Sequence, residues 1–89
     1  MRSRRTPKFR KAYDGLPPFV QAHARRAFRT WVRDPFHPSL QFKQVHPWKP
    51  IYAVRVGIHW RALGVRRGDL VTWFWIGSHD GYDKLIASL

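Results

Sequence analysis

The chain has 89 residues, no cysteine, and 17 Lys and Arg against five acids, all Asp, for a formal charge of +12 at pH 7. That length fits a single small domain over residues 1–89, and the lack of thiols excludes disulfides and thiolate metal centres. So basic a balance points to a polyanionic partner, nucleic acid or a ribonucleoprotein ahead of an anionic membrane, because the cations are spread along the chain rather than gathered on one amphipathic helix.

Residues 1–5 read as a disordered basic start. The opening "MRSRRTPKFRK" leads into no apolar signal-type run, and no apolar stretch nears the roughly 20 residues that span a bilayer, so the expected location is the cytoplasm. Thr6-Pro7 is a helix start, a Thr cap with Pro at the first helical position. Phe9, Tyr13 and Leu16 give that helix a short apolar stripe, and it should stop near Gly15. Pro17-Pro18 opens a second helix over 18–33. Its Val20, Ala24, Ala27, Phe28 and Trp31 share one face at helical spacing, while Arg25, Arg26, Arg29 and Arg33 fill the rest. Asp34-Pro35 ends it, and the tight link predicts an antiparallel helical hairpin.

Beyond residue 35 the period changes from 3.6 to 2. Strands are predicted over 39–45, 50–56, 59–65 and 70–76, with a turn at 66–69 in which Gly68 can take positive φ. The last strand is apolar throughout and reads as the most buried and central. Residues 77–89 give a turn and a short C-terminal helix from about Tyr82. The predicted class is α+β: two N-terminal helices packed on one face of a four-stranded antiparallel sheet, with a short C-terminal helix.

The register of the 50–65 hairpin decides where Arg55 and Arg61 point. A two-residue loop at 57–58 pairs Val54 with Arg61 and turns that cation toward the apolar set. A three-residue loop at 57–59 pairs Arg55 with Arg61 and leaves Tyr52, Val54, Val56, Trp60 and Ala62 on the other face. A one-residue slip flips every side chain, and an unpaired charge under the helices would cost several kcal/mol or so, which favours the longer loop. Two guanidiniums on a shallow face suit a phosphate, which they can grip bidentately.

Of the five histidines, His23 and His37 read as surface residues. His46 follows the first strand, His59 lies in the hairpin loop, and His79 leaves the last strand into a loop, a good place to act on a ligand. Without Cys or a His-x-x-x-His pair, and with Asp80 the nearest carboxylate, no metal site is expected. Neither Gly-x-Ser-x-Gly nor a phosphate-binding Gly-rich loop is present. What remains is metal-free RNA cleavage: a base for the 2′-OH, an acid for the leaving 5′-oxygen, and cations for the phosphorane. With no Glu in the chain the titrating group should be a histidine, His79 first. Tyr82 would hydrogen-bond the phosphate or stack on a base, with packing of the last helix as its ordinary role. Trp73 and Trp75 alternate with Phe74. Burial of both sets is the ordinary outcome, base stacking by one of them the alternative. Trp48, in the loop "HPWKP", should be exposed.

The run over 38–85, with "YAVRVGIHWRALG" and "WFWIGSHDGYDKL", resembles the RelE/ParE family of type II toxin–antitoxin toxins, and among them the RelE-like members. The resemblance implies two N-terminal helices against a four-stranded antiparallel sheet. It implies a ribosome-dependent, metal-free mRNA endonuclease cutting in the A site, needing no cofactor and neutralised by an acidic antitoxin. Family active-site positions fall on Arg55, Arg61 and His79, and more loosely on Tyr82. Lys43 and His46, with Lys49 and His59, fall in the basic stretches implied to contact RNA. The family also holds ParE-like toxins, which poison DNA gyrase on the same fold, so a non-catalytic gyrase inhibitor is the alternative, with a small basic nucleic-acid-binding module behind it.

Overall fold

A computed structural model describes residues 1–89. Along the chain run strand β1 (Arg2–Arg5), helices α1 (Pro7–Asp14) and α2 (Pro18–Arg33), a 3-10 turn (Pro38–Leu40), strands β2 (Lys43–Gln44), β3 (Ile51–Val56), β4 (Trp60–Arg67) and β5 (Leu70–Ser78), and helix α3 (His79–Ser88). No helix is long and apolar enough to cross a membrane.

The helix signals hold. Thr6 Oγ1 accepts from the Phe9 amide at 3.0 Å, satisfying one orphan donor of the first turn, and Pro7 sits where no amide is needed. Helix α2 runs between Pro17 and Asp34, as the prolines predict. Its stripe is less uniform than its spacing suggests: Val20 and Trp31 are buried, whereas Phe28 is 41% exposed.

The sheet differs from expectation. It has five strands in the order β1-β5-β4-β3-β2, and β1 pairs parallel to β5, from Arg2 opposite Leu70 to Arg5 opposite Trp73. Residues 2–5 are therefore ordered, and the sheet is mixed rather than antiparallel. Without β1, the apolar β5 would be an edge presenting unpaired backbone groups. A basic segment can cover that edge because backbone atoms make the contact while the arginines stay exposed.

The predicted strand over 39–45 is mostly absent. His37 caps a 3-10 turn, its Nδ1 accepting from the Ser39 amide at 3.2 Å, and Gln41 follows at φ 47°. Only Lys43 and Gln44 pair with β3, yet Leu40 and Phe42 are buried as the alternation required.

Helices cover both faces of the sheet, not one. Phe9 and Trp31 pack over Val54, Val56, Ala62, Val71, Trp73 and Ile76. On the opposite face Tyr82, Leu85 and Ile86 of α3 pack over Ile51, Ala53 and Leu63. Strand β5 is internal, but four of six residues are buried in β3 against three of nine in β5. A bulge explains part of this. Leu63 pairs with Trp75 and Gly64 with Trp73, so Phe74 is an extra residue. Trp73, 4% exposed, lies in the core under α1 and α2, while Trp75 packs in the α3 cluster. The two tryptophans do not share a face.

Candidate functional site

The hairpin adopts the three-residue loop. Val56 pairs with Trp60 and Arg55 with Arg61, and Gly57 takes φ 66°, a conformation a side chain would strain. Both arginines thus start from the α3 face. Arg61 Nη1 donates to the carbonyls of Trp60 (2.8 Å) and Ile58 (3.3 Å), and Arg55 Nε to that of Gly57 (3.4 Å). These bonds hold the guanidiniums but do not neutralise them: the ion pairs join Met1 and Arg2 to Asp69, and His79 to Asp83. Burial, and then the Arg55 charge, press the Arg61 pKa below its ordinary value, against the pull of Tyr82 and Asp83. A cation so placed favours a bound anion.

His79 is not in a loop. Strand β5 runs directly into α3, with Ser78 as cap, its Oγ accepting from the Gly81 amide at 3.1 Å. The helix begins at His79 rather than near Tyr82 because Ser78 supplies a side-chain acceptor that the turn reading overlooked. The His79 amide donates to the His59 carbonyl at 2.7 Å, pinning the first turn of α3 to the hairpin tip. Its Nδ1 faces Asp83 Oδ2 at 3.1 Å, one helical turn on, and its ring centre lies 5.8 Å from that of Tyr82. Burial first, then Asp83, raise the Tyr82 pKa above the ordinary phenol value, with Arg61 opposing. The phenol is therefore a hydrogen-bond donor near neutral pH.

Two further side chains stand here in positions that sequence order does not give. Asp83 completes an imidazole–carboxylate pair, signalled only by the i, i+4 spacing once α3 is known to start at His79. Trp75 lies across Gly77 and Gly81: a Cβ on Gly77 would stand 2.6 Å from its Cζ2, and one on Gly81 3.3 Å from the same atom. The indole thus lies against both the end of β5 and the first turn of α3.

The other candidates are dispersed. Lys43 is exposed on β2, and Lys49 in the loop after it. His46 is engaged in structure, its Nδ1 accepting from the amides of Trp48 (3.3 Å) and Lys49 (3.0 Å) and its Nε2 facing the Leu89 oxygen at 3.2 Å. Of these four, His59 alone touches the cluster, through its carbonyl. Trp48 is 80% exposed, as expected.

In the sequence Asp80 is the carboxylate nearest a histidine. With α3 starting at His79, donor atoms of His79, Asp80 and Asp83 lie within 4.8 Å of one another. A cation held by all three through Nδ1 would have to displace Asp83 from that nitrogen.

On the opposite face, a groove of about 270 Å³ opens between the helices and the sheet, lined by Phe9, Phe28, Trp31 and Trp73 and bordered by Arg5, Arg25 and Arg29. The indole N–H groups of Trp31 and Trp73 are buried without hydrogen-bond partners. The two indoles pack edge to face, with ring centres 5.5 Å apart.

Comparison with known proteins bears on this arrangement. A sequence model of the ParE-like toxin domain matches residues 18–84. No curated protein sequence matches the chain. Among solved structures, the chain is similar to one in the RelB–RelE antitoxin–toxin complex of Methanococcus jannaschii, at TM-score 0.73 and 13% identity, covering 92% of this chain and 96% of that one. It is similar to YafQ of Escherichia coli, at TM-score 0.68 and 12% identity over 92% and 98% of the two chains. It is also similar to a copper-bound mutant toxin of Helicobacter pylori, at TM-score 0.60 and 18% identity over 91% and 97%.

Proposed function

The chain belongs to the ParE-like toxin family, and from that premise we propose that it is the toxin of a type II toxin–antitoxin pair, acting as a ribosome-dependent, metal-free mRNA endoribonuclease. The observation that carries this reading is the uncompensated Arg55–Arg61 pair on the sheet face that also bears the His79–Asp83 couple and Tyr82. Arg55 and Arg61 bind the scissile phosphate and meet the charge that grows on it during attack. The 2′-oxygen bonds to phosphorus, the bond to the 5′-oxygen breaks, the 2′-proton leaves and the 5′-oxygen gains one. The products are a 2′,3′-cyclic phosphate and a 5′-hydroxyl. His79 makes one of those transfers through Nε2, while Asp83 fixes its orientation through Nδ1 and steadies the imidazolium. Tyr82, held protonated, donates to the substrate or stacks on a base.

An acidic antitoxin is the second partner. The RelE chain of Methanococcus jannaschii is described in complex with RelB, and the apolar groove bordered by Arg5, Arg25 and Arg29 suits an acidic amphipathic segment. The alternative reading, a non-catalytic gyrase inhibitor, draws on the ParE-like character of the matching family model.

Primer extension on translated mRNA separates the two. The parent should cut. His79→Ala should lose about 10²–10⁴-fold in rate, in the range of general acid–base catalysis, and Arg61→Ala about 10²–10³-fold. Variants that cut like the parent would remove the site, and a parent that cuts nothing but blocks supercoiling by gyrase would establish the alternative.

A further inference from the structure

Helix α2 has two unlike sides. One closes the apolar groove through Phe28 and Trp31. The other is largely polar and basic, and it leads to Arg55. A depression of about 310 Å³ is bordered by His23, Arg26, Thr30, Ser39 and Arg55, with Ala27, Leu40 and Ile58 as its apolar members. A second, of about 490 Å³, is bordered by Arg26, Arg29, Thr30, Arg33, Asp34 and His37, with no apolar side chain. Arg26 and Thr30 border both, so the two depressions adjoin along one side of the helix. His23 packs against Gly57 of the hairpin tip and hydrogen-bonds Arg26, which ties the row to the loop between the paired arginines. None of these arginines takes part in an ion pair, and Asp34 is the single acid along the row.

We infer that this row, from Arg55 through Arg26 and Arg33 to His37, binds the sugar–phosphate backbone of the RNA strand flanking the phosphate held by Arg55 and Arg61. The inference takes its direction from the nuclease reading and extends it to a binding track. From His23 to Arg33 the helix rises about 15 Å, enough to follow a few nucleotides. The chemistry favours a nucleic-acid backbone over a protein segment. A protein partner needs apolar anchors, which the second depression lacks. A phosphate backbone needs fixed cations and hydroxyl groups, which Thr30 and Ser39 add to the arginines.

Fluorescence anisotropy with a short fluorescein-labelled single-stranded RNA tests this across a salt series. The double variant Arg26→Gln/Arg33→Gln keeps helix propensity, and circular dichroism confirms its fold. Each phosphate contact to single-stranded nucleic acid contributes about 0.7 to the slope of log affinity against log salt, so this variant should flatten the slope by about 1.4. Lys8→Gln/Lys11→Gln, with the same change in charge on α1, should leave the slope near the parent's. Equal flattening by the two pairs would mean diffuse attraction and overturn the track, as would a slope unchanged in the α2 pair. A polyglutamate peptide provides the remaining arm: if the α2 pair weakens its binding and spares the RNA, the row serves an acidic protein and the inference falls. Cleavage is read separately on translated mRNA. A parent that cuts nothing while the slopes differ as expected leaves the track standing and removes the nuclease reading. A parent that cuts while the slopes coincide does the reverse.

Discussion

Arg61 is a cation set against a like charge. It stands directly opposite Arg55, partly out of water, bonded to backbone carbonyls, with Asp83 and Tyr82 offsetting part of that cost. Like charges opposite one another in a sheet cost up to about 1 kcal/mol. Arg61→Gln should therefore raise the urea midpoint slightly or leave it in place while, under the nuclease reading, slowing cleavage about 10²–10³-fold; a clearly lower midpoint would mean the pair is structural. Tyr82 makes a second prediction. Its folded pKa lies above the unfolded value, through burial first and Asp83 second. The stability this contributes is complete below the ordinary tyrosine range and is lost as pH climbs through the raised value. Denaturation on either side of pH about 10 should show a smaller alkaline loss for Tyr82→Phe than for the parent; equal losses would refute it. The arginine placement was legible in the sequence because a one-residue slip would have turned a charge into the core. Asp83 and Trp75 were not, because their roles follow from where α3 starts and from a bulge, neither of which side-chain pattern encodes.

At the scale of elements, legibility followed the kind of contact. Helices α1 and α2 announce themselves through caps, prolines and apolar period, β3 and β4 through alternation, and β5 through an apolar run. Strand β1 has no such mark, since its backbone, not its side chains, joins it to β5. The amides of Arg2 and Thr6 donate to the carbonyls of Asp69 (2.8 Å) and Trp73 (3.0 Å). Alternate residues of a strand face the partner, so Arg4 shares that side and Ser3 faces away. Arg4→Pro should lower stability by about 1 kcal/mol or more, with loss of a bond and a donor's unsatisfied partner, whereas Ser3→Pro should be nearly neutral. Thermal melts of the two decide it; equal melting temperatures would show that the pairing contributes nothing. The stretch over 39–45 went astray for a related reason. Alternation marks which side chains are buried, and a 3-10 turn with a left-handed Gln41 delivers Leu40 and Phe42 inward as well as a strand does.

For the whole molecule, the sheet separates two surfaces that a one-faced sheet could not. One face carries the apolar groove under the helical hairpin, the other the arginines and α3. A chain of net charge +12 also attracts polyanions before any specific contact forms. Under the nuclease reading, affinity for ribosomes should fall at least about tenfold as salt rises from about 50 to about 200 mM. A flat response in sedimentation binding would contradict a charge-led encounter. The strong positive charge was legible from composition alone; that helix α3 would close the second face was not, because its few apolar residues, Tyr82, Leu85 and Ile86, suit a surface helix equally well.

The parallel pairing of β1 with β5 has a temporal consequence. Arg2 meets Leu70, so a segment that leaves the ribosome early must wait for one that leaves late. The imidazole of His79 emerges later still. Under the nuclease reading, a ribosome translating this message is spared by its own product until both partners of that pairing and His79 are out, and that delay is an interval in which a neutralising partner can meet the nascent toxin while it is still harmless.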